Sequence, residues 1–185
     1  VTAIRKFVDE GGGFIGVGEP TAYQHQGRYF QLSDVMGVDR EMGFSLSTDK
    51  YNTCDPHHFI LEDIDGKIDF GEGTSRIYAQ GKHYQILAQD GEYSQLVVNE
   101  YGRGHSVYFA GLPYSPQNCR ILLRAIYYAA SMPEEMKHYY VTNVDTEVTV
   151  FPETKRIAVI NNADAEEKTD LYIKGRLIDS LTLAP

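Results

Sequence analysis

Tryptophan is absent from this chain, and cysteine occurs only at Cys54 and Cys119. Two thiols so far apart in sequence make neither a disulfide framework nor a zinc knuckle, so both read as free thiols suited to a reducing cytoplasm. Positive charge is also scarce, with 17 Lys and Arg against 26 Asp and Glu and a net charge of −9. A chain of that sign is a poor match for phosphate backbones and anionic lipid, which sets aside nucleic acid and membranes as partners. No apolar run approaches the roughly 18 residues of a membrane span, and no basic segment leading into an apolar one opens the sequence. A cytoplasmic location is expected. Methionine is missing from the first position as well: the chain starts at Val1 and enters a helical pattern directly, as a piece of a longer polypeptide would.

What is present is enough for a core. The 185 residues are 42% hydrophobic, which suits one domain or a domain with a small companion. Fourteen of the aromatics are tyrosine. The chain is organised around GGGFIGVGEPTAYQHQGRYF, residues 11–30, in which an apolar strand runs from three glycines into a polar loop. Sites in α/β sheets form where the carboxyl ends of strands meet their loops. We therefore take Glu19, Tyr23, His25, Gln26, Arg28 and Tyr29 as candidate residues facing a substrate or an interface.

Ahead of this stretch, Val1, Ile4, Phe7 and Val8 fall on one helical face, and Gly11 closes the helix. Residues 11–16 satisfy G-x-G-x-x-G, yet the dinucleotide fingerprint needs a strand before the glycines and a helix after them. Here the order is reversed, so the motif is a tight helix-to-strand turn. Tyr29 to Met36 suggests a short helix closed at Gly37, with strand-like FSLS at 44–47 and HFIL at 58–61 beyond it. Clear β patterning follows in RIYA, QILAQ, QLVVNE and SVYFAG, the last two joined by a hairpin through Tyr101–Gly104. Ser115 and Pro116 start the best-defined helix, along which Leu122, Ala125, Ile126 and Ala129 recur on one face before Met132–Pro133. From about Lys137, TEVTVF, RIAVI, TDLYIK and RLIDSLTL are short runs between turns. The organisation read from the residues is thus an α/β domain over 1–135 and a small antiparallel β domain over 136–185.

Three chemistries are tested by these residues. Asp63-Ile64-Asp65-Gly66 begins like a calcium loop, but its glycine comes early and no glutamate closes the frame, so it reads as a solvated turn. His57 and His58 beside Asp55 make a poor chelate, since adjacent strand residues face opposite ways. No metal and no cofactor is expected. The GGG strand-turn is similar to the nucleophile elbow of amidotransferase-like folds, but the tip reads Val17-Gly18-Glu19-Pro20, with neither Cys nor Ser and only Thr21 after the proline. Glycoside chemistry would need two carboxylates, or one acid with phosphate, and Glu19 is the loop's single acid, with Arg28 and His25 as anion contacts. Tyr23 or Tyr29 could stack on a sugar, although an independent carbohydrate-binding or oligomerisation module is weakened by the missing tryptophan.

The strings at 11–41, KYN at 50–52, HHFI at 57–60, IDFGEG at 68–73 and the run 98–130, in this order, resemble the C-terminal half of the lacto-N-biose/galacto-N-biose phosphorylases of glycoside hydrolase family 112, which also holds galactosyl-rhamnose phosphorylases. The resemblance covers residues 1–135 closely and the β tail loosely. It implies a Rossmann-like domain related to amidotransferase folds and to the trimerisation domain of β-galactosidases, truncated at its N-terminus here, and then a β domain. It implies that the parent's (β/α)₈ barrel, with its general acid, precedes this chain, so no catalytic residue is carried over. The implied parent is a bacterial, cytoplasmic, homodimeric phosphorylase acting on phosphate and a β-galactoside, with this part inactive alone.

Overall fold

The computed structural model describes residues 1–21, 29–41 and 53–178. They form two units, Val1–Met132 and Pro133–Pro185.

In the first unit, α1 (Thr2–Asp9) ends at Glu10, after which Gly11 takes φ +110° and donates its N–H to Val8. Only Val8 of the expected apolar face is fully buried, while Phe7 is 59% exposed. Its ring instead covers the space where residue 12 would carry a side chain, and Gly12 has none. The glycines therefore serve to pull the helix end close as well as to turn it.

The chain then enters β1 (Gly13–Val17), passes through α2 (Ser33–Met36) to β2 (Val38–Arg40), and continues to β3 (Ile77–Ala79), β4 (Tyr84–Asp90), β5 (Tyr93–Tyr101) and β6 (Gly104–Phe109). The main sheet has the order β1-β6-β5-β4, in which β1 and β6 are parallel and the other pairs antiparallel. RIYA does not join this sheet. It pairs with β2 as a separate two-stranded ribbon, because its partner Val38 buries its side chain on the same core.

Alternation along β5 and β6 fills both faces of the sheet. Leu96, Val98, Val107 and Phe109 enter one core with Ile60, Ile121 and Ala125, whereas Val97 and Tyr108 enter the other with Val8, Phe30, Leu32 and Met36. The helix α3 (Pro116–Ala129) covers the first of these cores, capped by the Ser115 hydroxyl, which accepts from Asn118 N at 3.0 Å. Its buried stripe is Asn118, Ile121, Ala125 and Ala129 together with Arg120 and Arg124. Leu122 is half-buried and Ile126 is 48% exposed, so the apolar periodicity was placed about one position off.

Two expectations between the sheets change. HFIL is a 3₁₀ turn over Phe59–Leu61, with the His58 ring capping it at Ile60 N. The FSLS run lies outside the described residues. Asp63 does not sit in a solvated turn: its carboxylate binds Arg120 Nη1 at 2.9 Å and lies 2.7 Å from Arg124 Nε, and both arginines are almost completely buried. The contact with Nε is poorly aligned for a hydrogen bond and acts through charge. Arg124 also donates to Phe59 O and stacks its guanidinium over the Phe59 ring. The acid thus holds two helix cations under the 59–64 segment.

At α2 the chain reverses through Gly37, at φ +69°. A side chain there would meet Asn99 at 2.7 Å, and Asn99 Nδ2 donates to Asp34 O and Val35 O at the helix end. Ser106 Oγ adds a 2.6 Å bond to Val35 O. Two polar side chains of the sheet thereby satisfy carbonyls that the short helix leaves open.

The second unit consists of α4 (Pro133–Met136), β7 (Tyr139–Val141), β8 (Thr146–Phe151), β9 (Arg156–Asn161) and β10 (Leu171–Ile173). Two antiparallel pairs, β7–β10 and β8–β9, make it up. RLIDSLTL contributes no strand through Ile178, and its remainder lies outside the described residues. The inward residues Val150, Ile157, Val159, Leu171 and Ile173 line an open cleft of about 910 Å³. Among the described residues, no helix is long and apolar enough to cross a membrane.

Replacing Asp63 by alanine strands two buried arginines, so urea unfolding should show a loss of about 3–5 kcal/mol. A loss below about 1 kcal/mol would mean that water or Glu62 takes over the pairing.

Candidate functional site

The parallel register places Val17 beside Phe109, so the loops after β1 and β6 leave the sheet at one edge. Gly18, at φ +67°, donates to Phe109 O at 2.9 Å and accepts from the Tyr108 hydroxyl at 2.8 Å. The turn that follows presents Glu19. Its carboxylate accepts from the Tyr29 hydroxyl at 2.8 Å and pairs with the Arg40 guanidinium. Arg40 Nη1 also donates to Tyr29 Oη at 3.0 Å, with its guanidinium carbon 5.0 Å from the Tyr29 ring centre.

Beneath this group lies Asp39, 1% exposed. One oxygen, Oδ1, accepts from Tyr29 N, Phe30 N and Arg40 N at 3.0, 3.0 and 2.9 Å. Oδ2 is buried and has no hydrogen-bond partner among the described residues. A carboxylate with three backbone donors fixes the chain at 29–30 against that at 39–40. Asp39 therefore sets where Tyr29 and Arg40 stand, and these in turn hold Glu19.

The electrostatics describe a closed group. The hydrogen bond to Glu19 raises the Tyr29 phenol above its usual range, burial adds to this, and Arg40 opposes it. Burial likewise pushes the Tyr108 phenol far up, against a lowering contact from Thr74. Both tyrosines stay protonated as donors near neutral pH. Each Glu19 oxygen has a partner, so the group acts as a hydrogen-bonded clamp and offers no unengaged base. At the tip, Thr21 takes φ +61°, and its Oγ1 is buried with no hydrogen-bond partner among the described residues. Among the described residues no base is bonded to it, and a hydroxyl nucleophile needs one.

Of the six candidates, Glu19 and Tyr29 are brought into direct contact, whereas Tyr23, His25, Gln26 and Arg28 lie outside the described residues. Arg40, Asp39, Tyr108 and Thr74 were given no role by the sequence. The charged pair inside the strand Val38-Asp39-Arg40 is the one signal that could have raised them, since a buried acid in an apolar strand needs donors.

His57 and His58 are separated by function. His57 Nδ1 lies 2.8 Å from Asp55, at the surface. The His58 ring caps the 3₁₀ turn and packs edge-on against Tyr128 at 4.7 Å, with His105 against the same ring at 4.9 Å. Burial pushes the Tyr128 phenol up to about 12, with Glu100 adding. Among the described residues, no cluster of His, Cys, Asp or Glu is placed to hold a metal ion.

Residues 1–134 match the family model described as the lacto-N-biose phosphorylase central domain, and residues 139–185 match that of the lacto-N-biose phosphorylase C-terminal domain. The chain belongs to the lacto-N-biose phosphorylase family. A 1,3-β-galactosyl-N-acetylhexosamine phosphorylase of Lachnoclostridium phytofermentans is 51% identical over 171 residues, covering 92% of this chain and 24% of that protein. The enzyme of that name from Bifidobacterium longum subsp. longum is 37% identical over 206 residues, covering 94% and 27%. A D-galactosyl-β-1→4-L-rhamnose phosphorylase of L. phytofermentans is 30% identical over 181 residues, covering 95% and 24%. The chain thus spans about a quarter of the length of the family members it matches.

Removing the Asp39 side chain orphans three backbone donors, two of them in buried contacts, so Asp39→Ala should lower stability by about 3 kcal/mol or more in urea. A change within about 0.5 kcal/mol would show that the clamp does not depend on it. His58 gives a pH test. Burial lowers its basicity below the ordinary 6.5, with His105 adding to this and Asp55 opposing it. The unfolded chain therefore binds the proton more readily, and stability at this site is full above pH 6.5 and falls as pH drops towards the folded value. Replacing His58 by asparagine keeps a capping acceptor and should flatten that part of the stability profile. An unchanged slope between pH 7 and pH 5 would locate it in another group.

Proposed function

We propose that this chain is the non-catalytic central and C-terminal portion of a galactoside phosphorylase. The observation that carries the reading is the match of both family domains in order along the chain, supported by a relative at 51% identity. The parent would transfer galactose from a β-1,3-galactosyl-N-acetylhexosamine, or a related galactoside such as galactosyl-rhamnose, to inorganic phosphate. In that reaction phosphate forms a bond to the anomeric carbon as the bond to the leaving oxygen breaks, and a general acid protonates that oxygen. The acid would come from a barrel preceding Val1. Consistent with this, Glu19 is already engaged by Tyr29 and Arg40.

The finer architecture belongs to the same reading. Residues 1–135 would be a Rossmann-like domain of the amidotransferase and β-galactosidase trimerisation type, and 136–185 the small β domain. The parallel β1–β6 pair with α3 packed on one face supports the first part. The parent would be a bacterial, cytoplasmic homodimer of glycoside hydrolase family 112, with the loop from Glu19 to Tyr29 turned towards the barrel or the partner subunit.

The isolated chain should release no galactose 1-phosphate from galactosyl-β-1,3-N-acetylhexosamine and phosphate, whereas the chain joined to its family's N-terminal portion should. Turnover by the isolated chain overturns the reading.

A further inference from the structure

The loop after β6 carries the most exposed large hydrophobic side chain among the described residues, Tyr114, at 90%. An aromatic ring left in water is ordinary on a slack loop, but this loop is fastened at several points. Asn118 Nδ2, at the start of α3, donates to Pro113 O at 2.7 Å and to Asp69 O at 2.9 Å. Asn118 is itself buried, and its Oδ1 has no hydrogen-bond partner among the described residues, an unfavourable arrangement that the two donations offset. Thr74 N donates to Ala110 O at 2.7 Å. Gly73 lies so close to Ala110 that a side chain would meet its carbonyl at 2.9 Å, and Gly111 is pressed against the backbone at Phe70. Ser115, directly after the tyrosine, is held as the cap of α3. Tyr114 is therefore an exposed ring on a backbone tied down on both sides.

This loop leaves the same sheet edge as Gly18 and Glu19. The segment Asp69–Thr74 fills the space between the two, since Thr74 is also the nearest side chain to Gly18. Asp69 and Glu72 are exposed in that segment, so the edge presents an aromatic ring with carboxylates beside it. A rigid tyrosine loses little freedom on binding, and such residues anchor protein interfaces. The surface that fits is a socket for the ring with cationic or amide donors at its rim.

We propose that Tyr114 is the anchor through which this edge docks against the portion of the polypeptide that family members carry outside the matched quarter of their length. The proposal rests on the reading given above as Proposed function. Sequence reasoning gave Tyr114 no part in a contact.

The test compares the 185-residue chain with the polypeptide in which it follows its family's N-terminal portion. Amide hydrogen exchange at residues 111–115 should be about tenfold or more slower in the longer polypeptide. Tyr114→Ala should abolish that difference and lower the longer protein's thermal midpoint, while leaving the urea midpoint of the 185-residue chain unchanged. Equal exchange in the two wild-type proteins overturns the proposal. So does protection that rises with protein concentration, which would make a second copy the occupant. Because exchange is read without catalysis, loss of phosphorolysis in the longer wild-type protein would remove the functional reading and leave this measurement decisive.

Discussion

The parallel pairing of β1 with β6 is the constraint on which the first unit depends. It brings Val17 next to Phe109, more than ninety residues later, and so makes neighbours of two loops that the sequence holds far apart. Parallel strands need a crossover between them. Here that crossover contains α2, the β2–β3 ribbon, and the antiparallel strands β4 and β5. Everything between residues 18 and 104 therefore has to return to the sheet with its ends fixed, and the buried polar groups mark where it does. Asp39 ties the ribbon to the chain at Tyr29–Phe30 ahead of α2, Asn99 and Ser106 tie the helix end to the sheet, and Asp63 ties the 59–64 segment to α3.

These ties differ from packing in what they specify. Apolar packing such as that of the core holding Val97 and Phe30 tolerates adjustment, whereas a carboxylate with three backbone donors admits one arrangement of the chain. Where the arrangement is met, it aligns side chains on adjacent residues. Tyr29 and Arg40 each carry a backbone N–H bound by Asp39, and both side chains reach Glu19.

Local signals in the sequence identified local structure well. The glycines before β1, the Ser115–Pro116 helix start, the hairpin at Tyr101–Gly104 and the αL residue at Gly37 each rest on a neighbour-scale rule, and each recurs in the structure. Failures came where a distant partner decides. HFIL reads as strand-like, but the His58 ring caps Ile60, and Arg124 donates to the Phe59 carbonyl. Asp63 looked like a surface turn because its arginines are 57 or more residues away. The α3 face was misplaced because two arginines are buried on it, and a hydropathy pattern counts them as outward. Arg40 escaped notice for the same reason: nothing adjacent announces that it will reach Glu19.

Among the described residues, the sparse burial of the second unit has a consequence for how the protein opens. Its strands bring few side chains out of water: Met136 and Val141 are its buried hydrophobics among the described residues. Heat capacity and denaturant sensitivity of unfolding follow the apolar area released, so this unit contributes little to either. A calorimetric trace of the chain would carry the signature of the first unit almost alone. Within that unit the β7–β10 and β8–β9 pairs open at low cost and with little cooperativity.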